Sequence, residues 1–141
     1  MKEYPAIISA ILYFITGMIC LAMALKCLTA KKFLPFHEKA SGTAWEHLDT
    51  GIQTVIITML KITGLGFLVV FLVLTVLPIA NFSARNNFLK YFIPLLSFIF
   101  CSGLFIFNYD LYRKTGAGTP WKGSLAAGVI ILAGFILSLF V

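Results

Sequence analysis

Residues 62–80 read ITGLGFLVVFLVLTVLPIA and contain no charged side chain. Three further stretches, 5–25, 91–108 and 125–141, are equally free of charge and mostly apolar. A helix needs about 20 apolar residues to cross the ~30 Å hydrocarbon layer of a bilayer. The sequence therefore predicts an all-α integral membrane protein, a single domain built as a bundle of four transmembrane helices.

The composition of the chain excludes an ordinary soluble domain. Hydrophobic residues make up 60% of the 141 residues and charged residues 11%, whereas about 25% of a soluble domain is charged. The first stretch follows Lys2, as the core of a secretory signal would. It is longer than the usual ~7 to 15 residue signal core and no small-residue cleavage pattern follows it, so we expect a retained span.

Lysines and arginines between the spans predict the orientation, because positively charged loops stay on the cytoplasmic side. The first and third loops carry most of these residues: Lys26, Lys31, Lys32, Lys39, Arg113, Lys114 and Lys122. The other side carries Lys2, Arg85 and Lys90. We therefore expect external termini and cytoplasmic first and third loops, most simply in a bacterial inner membrane. The basic face matches the negative potential of the inner leaflet, so no nucleic-acid partner is needed to explain it.

The ends of the third and fourth spans carry local signals. The fourth opens with Thr119-Pro120-Trp121, which predicts a capping hydroxyl followed by proline at the first helical position, and hence a span over 120–141. The third ends near Asn108, and Asp110 can reach Arg113 or Lys114 one turn on.

The second span is predicted to extend beyond the membrane. Thr43 and Glu46 have the spacing of a capping box, so a helix is expected to begin at Ala44. Running to Pro78, it would be about 50 Å long, more than the hydrocarbon layer. We therefore expect residues 26–61 to form a cytoplasmic loop and an amphipathic helix that extends the second span.

The predicted extension contains a polar stripe. Its members recur at intervals of three and four: His47, Thr50, Thr54, Thr58 and Lys61. In one interpretation the stripe faces cytoplasm or lipid headgroups, with Lys61 extending its ammonium to water. In the other it faces a wet cavity and, with Asn108 and Asp110, forms a ligand site, because polar groups at membrane depth often mark ligand paths.

Two histidines and nearby acids are candidates for acid–base chemistry. His37, Glu46 and His47 lie within eleven consecutive residues, 37–47. A histidine needs only one carboxylate partner to act as an acid or base near neutral pH. Their spacing matches no metal motif, and no nucleotide-binding fingerprint occurs. The sequence therefore predicts neither a metal site nor a cofactor. The three cysteines, Cys20, Cys27 and Cys101, form no C-x-x-C pair and are expected to pack as small apolar residues.

Small residues at regular spacing predict close helix packing, either within one chain or between copies in a homo-oligomer. The pattern appears in the first span as Ala10, Gly17 and Ala24, and in the fourth as the pairs Ser124 with Gly128 and Gly134 with Ser138.

Three classes of function are open. The first is binding of a small or amphipathic ligand at the cytoplasmic end of the bundle, the second a small membrane enzyme acting on a lipid-like substrate, and the third an accessory or structural subunit. In its four spans, external termini and polar first loop the predicted layout resembles the membrane-associated eicosanoid and glutathione enzymes. The chain lacks their arginine-then-Asn-x-x-Glu pattern, since Thr43 stands three residues before Glu46.

Overall fold

The computed structural model describes residues 3–84 and 87–139, with side chains described over 4–79 and 88–139. Over these ranges the chain is helical and contains no strand. The α-helices are α1 (Glu3–Leu28), α2 (Pro35–Ser41), α3 (Thr50–Ala84), α4 (Asn87–Thr115) and α5 (Trp121–Ser138), with a 3₁₀ turn at Trp45–His47. Lys2, Arg85 and the last two residues of the predicted fourth span lie outside the described residues.

Four of the helices described here are long and apolar enough to cross a membrane, which confirms that part of the prediction. They are Tyr4–Leu28, Thr50–Ile79, Phe88–Thr115 and Trp121–Ser138. Large apolar side chains such as Ile7, Phe14, Val69, Val76 and Ile99 point outward and are exposed. Leaving such surface in water costs about 25 cal/mol per Å², so a hydrocarbon solvent around the bundle is the environment that this surface suits.

The long helices form a closed ring in which α1 lies against α3 and α5, and α4 lies against α5 and α3. Its interior is filled by apolar side chains from all four, among them Ala24, Leu74, Ile93 and Ile131. Gly17 marks a close approach, because a Cβ added there would lie 2.8 Å from Thr75 Cγ2. Gly17 and Ala24 of the first span therefore pack within the bundle, whereas Ala10 is exposed.

The antiparallel order gives the bundle two different ends. Residues 29–49 and 116–120 lie at the same end, which we call the loop end. Gly64 of α3 lies beside Cys27 and Leu28, the last residues of α1, and α3 begins at Thr50, so α3 continues past α1 at the loop end. One side of the first three turns of α3 packs against the loop end through Ile56, Ile57 and Leu60, and another side is exposed there.

The start of α3 differs from the prediction. The helix begins at Thr50 rather than Ala44, and the 3₁₀ turn before it has no side-chain cap. Asp49 supplies the cap instead, since its Oδ1 accepts a hydrogen bond of 2.7 Å from Gly51 N–H, the second helical position that an N-cap carboxylate normally reaches. The Thr43–Glu46 capping box was therefore wrong.

The start of α5 is also capped differently. Pro120 is the N-cap residue and no side chain caps the helix. The Thr119 hydroxyl donates to Asn108 O at 2.7 Å, which ties the 116–120 loop to α4. The predicted Thr119 cap was wrong, although the helix starts within one residue of the expected position.

Candidate functional site

An open groove at the loop end collects most of the predicted polar stripe. Its volume is about 340 Å³. We call it the basic groove, and its lining is Lys31, Trp45, Thr50, Gln53, Thr54, Ile57, Thr58 and Lys61. Of the residues singled out from the sequence, the structure brings Thr50, Thr54, Thr58 and Lys61 together here.

Helical periodicity explains how α3 builds one wall of the groove. Positions 50, 53, 54, 57, 58 and 61 are spaced by three and four and share one face of the helix. Two of these threonines bind their own helix: Thr54 Oγ1 donates to Thr50 O at 2.8 Å and Thr58 Oγ1 to Thr54 O at 2.9 Å. Their oxygens keep lone pairs for a ligand, but their protons are already used.

Gln53 holds the other wall in place. Its Nε2 donates to Trp45 O at 2.9 Å and to Leu48 O at 3.2 Å, which fastens the 3₁₀ turn to the first turn of α3. Trp45 in turn packs edge-on against Phe33, with ring centroids 5.1 Å apart. The Gln53 amide thus holds the backbone at Trp45, and the Phe33 ring packs against the indole that lines the groove.

Two lysines from different parts of the chain supply the charge. Lys31 lies just beyond the end of α1, Lys61 lies about three turns into α3, and both are exposed. The groove lining contains no carboxylate, and over the described side chains the one ion pair is Lys114–Asp110. Two uncompensated ammonium groups in one groove repel each other, and an anion between them would be attracted to both.

His37 lies outside the groove in an aromatic slot on α2. Its ring centroid is 4.0 Å from that of Phe36 and 6.1 Å from that of Phe33. Burial lowers the pKa of the imidazole, because a charged ring would lose hydration there. Its buried Nδ1 has no hydrogen-bond partner among the described residues. Burial therefore favours the neutral imidazole, and no carboxylate among the described residues forms an ion pair with it.

The remaining predicted residues lie elsewhere. Glu46 and His47 are exposed on the 3₁₀ turn and do not line the groove. Asn108 Nδ2 donates to Leu104 O at 2.8 Å, and Asp110 pairs with Lys114 at 2.6 Å, so both are occupied within α4. The Asp110–Lys114 pairing confirms the one-turn contact expected from the sequence.

Sequence reasoning had given Lys31, Trp45, Gln53 and Ile57 no place in the site. Gln53 and Ile57 carry a signal, since they fall on the same helical face as the threonines. Lys31 and Trp45 carry none, because their position depends on how residues 29–49 fold back over α3.

Among the described side chains, no three His, Cys, Asp or Glu residues come close enough to bind a metal ion, and Cys20, Cys27 and Cys101 are free and buried.

Comparison of the chain with protein-family models, curated proteins and solved structures finds no match.

Proposed function

We propose that this is an integral membrane protein that binds an amphipathic ligand with an anionic head group in the basic groove. The observation that carries the proposal is that Lys31 and Lys61 line one groove with no carboxylate among its other lining residues. The head group would lie between the two ammonium groups, where the Coulomb attraction of both adds.

The rest of the lining supports an amphipathic rather than a fully polar ligand. Ile57 and the Trp45 ring offer apolar surface beside the lysines. Thr54 and Thr58 already donate their protons within α3, so their oxygens can bind only a ligand group that donates a hydrogen bond. Below Lys61 the exposed face of α3 is apolar, with Ile62, Leu65 and Val69 outward. A ligand with its head in the groove and its chain along this face would keep both ends in suitable surroundings.

The proposal includes a topology, with the loop end on the cytoplasmic side of a bacterial-type inner membrane and both termini outside. The excess of lysines and arginines in the first and third loops supports it. The anionic lipids of that leaflet are then the most abundant molecules of the proposed chemistry.

The test uses Trp45 as a reporter in a Trp121→Phe background, where it is the sole tryptophan. In bilayers that contain lipids with brominated chains, quenching of Trp45 measures which lipid occupies the groove. We expect brominated phosphatidylglycerol to quench more strongly than brominated phosphatidylcholine. Replacing Lys31 and Lys61 by Gln should reduce the preference about fivefold for each lysine, from ~1 kcal/mol per charge.

The matched control replaces Lys26 and Lys39, two lysines of the same region outside the groove, by Gln. The net charge change is identical, and the preference should persist. Equal quenching by both lipids in the parent protein, or an equal loss in the control, would refute binding in the groove.

A further inference from the structure

A second cavity lies between the four long helices at the end opposite the loop end. Its volume is about 170 Å³. We call it the hydroxyl cavity, after Ser9, Tyr13 and Ser138 in its lining. On α1 the lining positions 6, 9, 10 and 13 share one helical face, and they span about 10 Å along the axis. The cavity therefore reaches well into the bundle.

The three hydroxyl groups have different hydrogen-bonding states. Ser9 Oγ donates to Gly134 O and Ser138 Oγ to Phe135 O, each at 2.7 Å, so both protons are used and both oxygens can still accept. Tyr13 lies beside these two serines and is 6% exposed. Its hydroxyl lies close enough to both serine hydroxyls to interact weakly with them, but it forms no well-aligned hydrogen bond with any described group.

A buried donor without a partner costs about 1–3 kcal/mol. A molecule in the cavity that accepts from Tyr13 would recover this cost. The neighbouring serine oxygens favour a molecule that can also donate, and a group that does both is an alcohol hydroxyl. A carboxylate has no proton to offer them. The one cation in the lining, Lys90, has its ammonium 5.8 Å from the ring centroid of Tyr91.

The remaining walls of the cavity are apolar. They include Ala6, Ala10, Pro78, Leu89, Ile93 and Pro94. Water fills about 30 Å³ per molecule, so several waters would fit, but most of them would face walls that offer no hydrogen bond. An alkyl segment against these walls gains about 25 cal/mol per Å² of apolar area removed from water.

We propose that the hydroxyl cavity binds a small alcohol, a molecule whose hydroxyl accepts from Tyr13 and donates to Ser9 or Ser138 while its alkyl part fills the space between the helices. Such an alcohol can come from water, if its chain is short, or from the membrane, if its chain is long. This site is separate from the basic groove and does not rest on the function proposed for it.

The test measures protection of a cysteine placed in the cavity wall. Ala10→Cys in proteoliposomes is treated with a small water-soluble methanethiosulfonate reagent, with 1-butanol or 1-dodecanol as the probe. The native cysteines are buried at 2–3% exposure, so the parent protein gives the background. We expect at least one alcohol to slow labelling. Protection by butanol would indicate entry from water, and protection by dodecanol alone would indicate entry from the membrane.

Tyr13→Phe removes the unpaired donor and keeps the ring. In that variant the alcohol concentration that halves the labelling rate should rise about two- to tenfold, from a net hydrogen bond of ~0.5–1.5 kcal/mol. Ser138→Ala, which removes an acceptor, should also weaken protection and serves if Tyr13→Phe does not fold. Gly118→Cys, which lies in the 116–120 loop, should be unaffected by either alcohol.

Three results would overturn the proposal. They are no labelling at Ala10→Cys, no protection by either alcohol, and equal protection with and without the Tyr13 hydroxyl. The second result would mean that the cavity holds water only, and the third that the alcohol acts without accepting a hydrogen bond from Tyr13.

Discussion

Gly134→Ala tests the packing of α5 against α1 at the position where it is tightest. A Cβ at Gly134 would lie 2.8 Å from Tyr13 Cε1, 3.3 Å from Cδ1 and 3.4 Å from Cζ. Gly134 O also accepts the hydrogen bond from Ser9, which holds the backbone close to α1. The Tyr13 ring is buried, so the added methyl group must displace either the ring or the helix.

The size of the effect follows from two opposing contributions. Overfilling a packed interior costs about 1–3 kcal/mol, whereas replacing glycine by alanine inside a helix stabilises it by about 1 kcal/mol. Gly128→Ala on the same helix provides the control, because its Cβ would lie an ordinary 3.9 Å from Cys101 Cβ. Both variants gain the same helix propensity, so Gly134→Ala should be about 1–3 kcal/mol less stable than Gly128→Ala.

The assay is reversible unfolding in mixed micelles with a rising fraction of dodecyl sulfate, followed by far-ultraviolet circular dichroism. Tyr13→Ala should remove the penalty of Gly134→Ala, giving a coupling energy of at least about 1 kcal/mol in a double-mutant cycle. If the two alanine variants unfold at the same dodecyl sulfate fraction, the close approach of α5 to Tyr13 is refuted.

Three further predictions concern the loop end. Gln53→Ala should speed amide exchange of the 3₁₀ turn around Trp45, measured by mass spectrometry, and unchanged exchange would show that the amide does not hold that turn. By NMR, His37 should titrate below the usual histidine pKa of 6.5. The unfolded state then binds more protons than the folded state, so the free energy of unfolding should fall as the pH drops below ~6.5, and it should fall less in His37→Phe. A free energy of unfolding that does not change with pH would contradict the buried neutral ring. Thr119→Val should cost about 1 kcal/mol in micelle unfolding by removing the hydrogen bond to Asn108 O, and no loss would mean that this bond is dispensable.

The four long helices were predictable because an apolar stretch of about 20 residues satisfies its backbone hydrogen bonds in a bilayer by forming a helix. The start of α3 was not, because two capping signals compete within a few residues and the sequence does not rank them. Asp49, rather than Thr43, caps α3, since its carboxylate accepts a hydrogen bond from Gly51 N–H just before the apolar face of the helix begins. The prediction of a Thr119 cap was wrong for a related reason. The Thr119 hydroxyl donates to the Asn108 carbonyl of α4 instead of accepting from a backbone amide of α5.

The basic groove and the hydroxyl cavity could likewise be predicted only in part, because the sequence shows which residues share a helix face but not which distant segments lie beside that face. The α3 wall of the basic groove follows from the spacing of Thr50, Thr54, Thr58 and Lys61, which the sequence displays. The opposite wall depends on the path of residues 29–49, which no periodicity encodes. The hydroxyl cavity joins Ser9 and Tyr13 with Ser138, more than a hundred residues apart in the chain, so its prediction requires the order of helices around the ring.

The claim that the basic groove binds an anionic amphiphile is tested most directly by thiol accessibility at Thr54→Cys in native membranes. Dodecyl phosphate should slow labelling by a water-soluble reagent, and a zwitterionic amphiphile of equal chain length should not. The protection should disappear when Lys31 and Lys61 are both replaced by Gln. Thr115→Cys, exposed at the same end on α4, should label equally under all conditions. Labelling of Thr54→Cys that ignores dodecyl phosphate would contradict the claim.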